Sequence, residues 1–419
     1  VSDPSVYTAR RVANAETSGW LPDHAVLVEA GRITGVVPAR ELPRDAARTH
    51  RVHDLGDVSL LPGLVDVHSH LHCSATPEAY HLVTTESHDR LLLRAAANLR
   101  AVLLSGVTTL RDLGSRNEIA FPLRDAVRAG VIPGPRLLLA GTPITTTAGH
   151  CHMFGTEADT LDQVVVAVRR QKKLGADCIK VMATGGMFTP TANPRTVQYP
   201  VETLAAAVRE AGRLGMPVAA HTLSTAGIRN CVEARVDHLI HARWYSVDAG
   251  KGLEYDADLA RRIADQGQWV DVTFGLLILG REAAAAGAPA RTPHWAVAAT
   301  PVPDEEHLDT ARDMRRHGVR FCTGLDMGMA HCRFDASSAN ARAFVKLLGY
   351  SPWEALRAST ADSAESLGLG HEVGAIRPGL AADLMSVAGD PAADIAALAS
   401  ATDVIQAGRP VKLGGRVLV

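Results

Sequence analysis

The sequence has no CxxC pair. Its cysteines, Cys73, Cys151, Cys178, Cys231, Cys322 and Cys332, stand singly, which argues against both a disulfide scaffold and a thiolate zinc site and makes reduced, apolar filler the default. A charge excess is missing too: a formal net charge of -2 gives no basic footprint for nucleic acid and no extreme acidity. No apolar stretch is long enough to span a bilayer, and the opening "VSDPSVYTARRVANAE" carries no secretory-type apolar block. The expectation is a cytoplasmic protein with no membrane or nucleic-acid partner. No strand-like run leads into a glycine-rich dinucleotide fingerprint, so an open doubly wound sheet has no support. Repeats and low-complexity linkers are absent as well.

What is present fits a large α/β core. Of 419 residues, 47% are hydrophobic and 21% charged, ordinary for a globular chain with ample material to bury. Eight β-branched runs, "GLVDVHSHL", "VTTLRDL", "RLLLAGTPI", "CIKVMATG", "PVAAHTL", "DHLIHA", "WVDVTFG" and "RFCTGLDMG", alternate with amphipathic stretches such as "LDQVVVAVRRQKKLG" that stop at glycine. That alternation predicts parallel βαβ units closing into a (β/α)8 TIM barrel over residues 59–370. The flanks read as short strands and hairpins, "AVLVEAGRITGVV" near the start and "ADLMSVAG", "DVIQAGRPVK" and "GRVLV" near the end. They predict one small β-sandwich domain assembled from residues 1–58 and 371–419. "REAAAAGAPARTP" is the best candidate for a mobile loop.

The chemistry-bearing residues fall at strand ends. "DVHSHLH" puts His68 and His70 two apart, hence on one face of the first barrel strand, where a barrel carries its active site. His221 ends "PVAAH", His241 ends "DHLIH" and Asp326 follows "RFCTGL". Imidazoles and a carboxylate suit zinc and similar divalent ions. Each alone reads as a satisfied core group; together they point to a metal centre. Lys180 in "DCIKVMATGG" is the anomaly, because a buried ammonium without a partner is costly. A lone strand lysine ordinarily snorkels to solvent. Beside a metal cluster it makes sense once carbon dioxide has converted its amine to a carbamate anion with two oxygens.

The set "HSH", "IKVMATGG", "AAH", "IH" and "GLD", followed by "GAIRPGLAADLMSVAGDP", resembles the amidohydrolase superfamily. Within it the similarity is to the binuclear, carboxylated-lysine branch, which includes imidazolonepropionase-like proteins, Xaa-Pro dipeptidase-type prolidases and ochratoxinase-like amidohydrolases. The resemblance implies two divalent ions, zinc first, with manganese, iron or cobalt as alternatives. His68, His70 and Asp326 would hold one ion, His221 and His241 the other, and a carbamate on Lys180 would bridge them. Water shared by two cations is acidified toward neutral pH, and Asp326 would take its proton and return it to the leaving nitrogen. His150 in "TTTAGHCHMFG" would steady the oxyanion, with His152 on the same stretch competing for that role.

Three departures touch the surroundings of the ligands. Ile240 precedes His241 where relatives often carry Glu, Leu325 precedes Asp326 in place of Ser or Thr, and Leu223 follows His221 where some relatives have a further histidine. Substrate-pocket candidates are Met187, Phe188, Arg195, Tyr199, Trp244 and Tyr245. Arg195 is a candidate clamp for a carboxylate, and Trp244 and Tyr245 for walls against an apolar group; solvation and ordinary packing are the competing readings.

The expected reaction is hydrolysis of a carbon–nitrogen bond in a small amide, dipeptide-like or cyclic amide substrate. The alternatives are a lactone, a carbamate, a non-hydrolytic elimination or rearrangement on the same metals, and a non-catalytic binding protein of the same fold. A homo-oligomer is open, since dimers are common among similar proteins.

Overall fold

A computed structural model describes residues 3–14, 17–43, 45–288, 294–298 and 300–419. Each of the eight expected runs becomes a barrel strand: β1 Leu64–Ser69, β2 Val107–Asp112, β3 Arg136–Leu139, β4 Ile179–Met182, β5 Val218–Ser224, β6 His238–Tyr245, β7 Trp269–Asp271 and β8 Arg320–Phe321. Neighbouring strands pair in parallel, β1 to β3 in one sheet and β4 to β8 in another. Backbone bonds seal the two joins, from Val67 N–H to Thr323 O at 3.0 Å and from Asp177 N–H to Leu139 O at 2.8 Å. β1, β4 and β5 are buried along their whole length, as strands covered by helices outside and side chains inside must be.

Helix Leu161–Leu174 shows how local sequence sets these units. Thr160 and Gln163 form a reciprocal capping box at its start, Val164, Ala167, Val168 and Gln171 form its buried stripe, and Gly175 ends it at φ 89°, a left-handed conformation that glycine adopts without strain. The loop after β3 makes a small ribbon, Ile144–Thr145 beside Thr156–Glu157, and a bridge from Ile144 to Val181 ties it to β4. That ribbon carries His150 to the barrel mouth.

The terminal segments share one sheet, in the order Arg416–Val417, Arg409–Leu413, Ala401–Gln406, Leu384–Ala388, Val58–Pro62, Ser5–Asn14, Gly19–Glu29 and Arg32–Pro38, with Arg51–Asp54 also paired to Ser5–Asn14. Its two halves close on each other through Ile33 N–H to Leu380 O, Ala382 N–H to Gly31 O, and the Tyr7 hydroxyl to Gly408 O. The small sandwich so formed has a core of its own around Tyr7, Val26, Leu60, Leu384 and Ile405.

The expected boundary between residues 58 and 59 falls inside a strand, because Val58–Pro62 pairs antiparallel with Leu384–Ala388. The chain passes from this sheet into β1 with only Gly63 between. The stretch expected as a mobile loop, residues 281–293, is helical in its first part, where Gly275–Ala285 continues to Ala285; residues 289–293 lie outside the described residues. Among the described residues no helix is long and apolar enough to cross a membrane.

Candidate metal centre

β1, β4, β5, β6 and the segment after β8 bring His68, His70, Lys180, His221, His241 and Asp326 into one cavity of about 430 Å³ at the barrel mouth. The rings form a chain, His70–His68–His241–His221–His150, with successive centroids 5.2, 5.4, 4.8 and 4.5 Å apart. Ligand atoms of His68, His70 and Asp326 all lie within 4.8 Å of one another. Asp326 Oδ1 stands 3.4 Å from His68 Nε2 and 3.1 Å from His70 Nε2. His241 and Asp326 hold φ values of 73° and 60°, left-handed conformations costly for residues with a side chain.

Each imidazole of the four presumed ligands has one nitrogen engaged away from the cluster. His68 Nδ1 meets Asp271 Oδ2 at 3.0 Å, His70 Nδ1 meets Gly114 O at 2.9 Å, His221 Nε2 meets Gly185 O at 3.2 Å and His241 Nδ1 meets the Thr273 hydroxyl at 3.0 Å. A nitrogen donating to a carbonyl or carboxylate fixes the tautomer and leaves the other nitrogen with a lone pair. Burial reinforces the neutral form: it pushes His68 and His221 well below the ordinary histidine range and His241 down to about 3. His70 runs the other way, because the Asp326 carboxylate outweighs burial and holds its pKa up.

Lys180 is 2% exposed, and its Nζ has no hydrogen-bond partner among the described residues. Burial, ahead of every charge around it, lowers its pKa to about 8. That makes the neutral, nucleophilic amine accessible near physiological pH. An unpartnered amine, the Asp326 carboxylate beside His68 and His70, and the clustered imidazoles form a donor set suited to divalent ions. The residues present fit the metal group.

Asp66 and Asp271 escaped the sequence reading. Asp66 is in phase with His68 and His70, and its buried carboxyl accepts from His68 N–H at 3.0 Å and from the Ser337 hydroxyl at 2.7 Å; burial raises its pKa to about 7. Asp271 ends β7, which, like β2, was assigned no site residue. Besides His68 it accepts from Thr273 N–H at 3.1 Å and Gly324 N–H at 3.2 Å. A Cβ on Gly324 would stand 2.3 Å from Asp271 Oδ2 and 2.5 Å from His68 Cβ, so only glycine lets the last strand approach this pair. Asp271→Asn offers His68 an amide donor in place of a carboxylate, reverses its tautomer, and is expected to weaken metal affinity by about 10–100-fold. Titration against a competing chelator reads this directly, and unchanged affinity would remove Asp271 from the account.

His150 lines the cavity, 4% exposed, with Nδ1 unpartnered and burial pushing its pKa down to about 3. His152 is outside the cavity, half-buried and 4.0 Å from Glu157. Met187, Phe188 and Tyr245 line the cavity, and Leu223 lies on its wall.

Three other substrate candidates serve the scaffold instead. Arg195 Nη1 donates to the carbonyls of Ser246, Lys251 and Gly252 at 2.7, 2.9 and 3.2 Å, pinning the loop after β6. The Tyr199 hydroxyl donates to Ala158 O at 2.6 Å, and Trp244 is fully buried with its Nε1 on Met314 Sδ. Trp244 misses the cavity because side chains alternate along β6: His241, Arg243 and Tyr245 line the cavity and Trp244 points to the opposite face. Arg243, Asp304 and His307 line the cavity and carried no role in the sequence reading. Cys151 reaches it too, but burial raises its thiol to about 12, which leaves it inert as a nucleophile.

The amidohydrolase family profile matches residues 59–411. Ochratoxinase of Aspergillus niger is 26% identical over 407 residues, covering 89% of this chain and 79% of that protein. Imidazolonepropionase of Cereibacter sphaeroides is 27% identical over 382 residues, 87% of this chain and 88% of that one. The solved structure of a prolidase complexed with N-methylphosphonate-L-proline superposes with a TM-score of 0.83 at 26% identity, over 98% of this chain and 100% of the other. The matched segment runs from the terminal sheet through the whole barrel and back into the sheet: the chain belongs to the amidohydrolase family and is a hydrolase.

Proposed function

We propose that this protein hydrolyses a carbon–nitrogen amide bond in a small molecule, using two divalent ions, most simply zinc, held by His68, His70, Lys180, His221, His241 and Asp326. One observation carries the reading: a buried lysine amine without a partner faces imidazoles whose outward nitrogens are already engaged. A carbamate on Lys180 turns that costly amine into an anionic ligand between the two halves of the cluster. When bound, such ions supply Lewis acidity toward a carbonyl oxygen and bring water toward ionisation at neutral pH.

The chain's own residues supply the rest. Asp326, within hydrogen-bond reach of His70 and open to the cavity, takes the proton of the attacking water and passes it to the departing nitrogen. His150, neutral and with a ring nitrogen unpartnered, donates toward the oxygen that gains charge as the carbonyl becomes tetrahedral. Met187, Phe188, Leu223 and Tyr245 exclude water and receive the apolar part of the substrate. Ochratoxinase and a prolidase among the similar proteins support an amide as the bond class.

The test is a chelation and reconstitution series on an amide panel in ¹⁸O-labelled water. The stripped protein is expected to lose turnover and regain it with zinc or manganese plus bicarbonate, with label in the carboxylic acid product. Product without label would point to elimination or rearrangement, and full turnover of the stripped protein would refute the metal-dependent reading.

A further inference from the structure

Among the described residues, the cavity wall holds an arginine that the proposed chemistry does not use. Arg243 lies on β6 two residues past His241, lines the cavity, and stacks its guanidinium over the Phe274 ring at 4.6 Å. Among the described residues its side chain makes one hydrogen bond, from Nη2 to the Thr273 hydroxyl at 3.3 Å, and no carboxylate lies within 4.0 Å of it. The two cavity carboxylates are engaged elsewhere. Asp326 belongs to the histidine cluster, and Asp304 pairs with Arg281 at 3.0 Å. A guanidinium has five N–H donors in a rigid fork, so most of its hydrogen-bonding capacity remains for whatever enters the cavity.

Its position relative to the chemistry is fixed by one hydroxyl. Thr273 Oγ1 binds Arg243 on one side and His241 Nδ1, at 3.0 Å, on the other. An anion held by Arg243 therefore sits beside the cluster, in a cavity whose lining also includes the apolar side chains of Phe188, Leu223 and Leu276. We propose that Arg243 is the anchor for a free carboxylate on the substrate, so that the enzyme acts on N-acyl amino acids or dipeptide-like amides whose acyl or side-chain part is apolar. This rests on the amide-hydrolase reading above. One guanidinium matches one monoanionic carboxylate in bidentate fashion. The stacking on Phe274 holds the fork in place before binding, which limits the entropy lost on contact.

The experiment uses the metal-loaded enzyme and matched pairs of substrates, N-acyl amino acids with apolar acyl groups and their C-terminal carboxamides. The quantity read is the ratio of kcat/KM within each pair. The wild type is expected to prefer the carboxylate by about 10- to 100-fold, the range of a charge-assisted bidentate bond. In R243M that ratio falls toward one, chiefly through KM for the acid, and R243K keeps an intermediate preference. Thermal melts of both variants report folding separately. A ratio unchanged in R243M overturns the assignment. Turnover of both members without preference by the wild type also overturns it, while leaving C–N hydrolysis standing. Turnover of neither member removes the amide-hydrolase reading, and the assignment falls with it.

Discussion

Lys180→Ala is expected to abolish turnover by about a thousandfold or more, since several kcal/mol of transition-state stabilisation depends on the metal pair and each 1.36 kcal/mol is a decade. Short carboxylic acids such as acetate or propionate should restore part of it by entering the space left by the side chain and supplying the anion. Stability separates this role from a packing role. In chelator, the wild type buries an amine with no partner, an arrangement that costs free energy. The Lys180→Met protein, of similar volume and uncharged, should therefore melt no lower than the wild type without metal. With zinc and bicarbonate the order reverses, because only the wild type gains the free energy of binding. A Lys180→Ala enzyme with full metal content and full rate would contradict the assignment.

Asp326→Asn carries the second large effect. The substitution keeps shape and is compatible with the left-handed backbone at this residue, φ 60°, where Asn is as well tolerated as Asp, so the fold should persist. It removes the group that accepts and returns the proton. The expected loss is about 10²–10⁴-fold in kcat, the usual range for general acid–base catalysis, with a smaller change in KM. Steady-state kinetics at matched metal content checks this. A kcat near the wild-type value would give the proton transfer to another group, and His150 would be the first candidate.

The barrel was legible because its signal is collective: β4 and β5 read as short β-branched runs between amphipathic stretches, and each is buried throughout. The presumed ligands were legible for a related reason, since strand-end position and residue type together select few side chains. Arg195, Tyr199 and Trp244 were misplaced because proximity in sequence to a ligand says nothing about direction. Arg195 turns into the loop it pins, and Trp244 lies on the face of β6 opposite His241, Arg243 and Tyr245, as a period of two along the strand requires. Asp271 was overlooked for want of a partner in sequence, since its meaning comes from His68, which approaches it only when β1, β7 and the segment after β8 close on one another. Arg243 stayed hidden likewise, because a cation next to a ligand reads as solvated until the cavity around it is seen.

The departures now have physical consequences. Ile240 packs with Leu113, Ala140, Cys178 and Ala219 in an apolar cluster, and Leu325 is fully buried against the position of Gly275. Leu223 faces the cavity, where it widens the apolar wall instead of adding a polar group. Polar contacts to the presumed ligands come from Asp66 to the His68 backbone, Asp271 to His68 Nδ1 and Thr273 to His241 Nδ1.

The most direct test is a crystal structure of the protein grown with zinc and bicarbonate, with anomalous data collected at the zinc edge. The account predicts two anomalous peaks among His68, His70, His221, His241 and Asp326, and continuous density for a carboxylated amine on Lys180 between them. A bare Lys180 amine with no ion beside it under those conditions would contradict it.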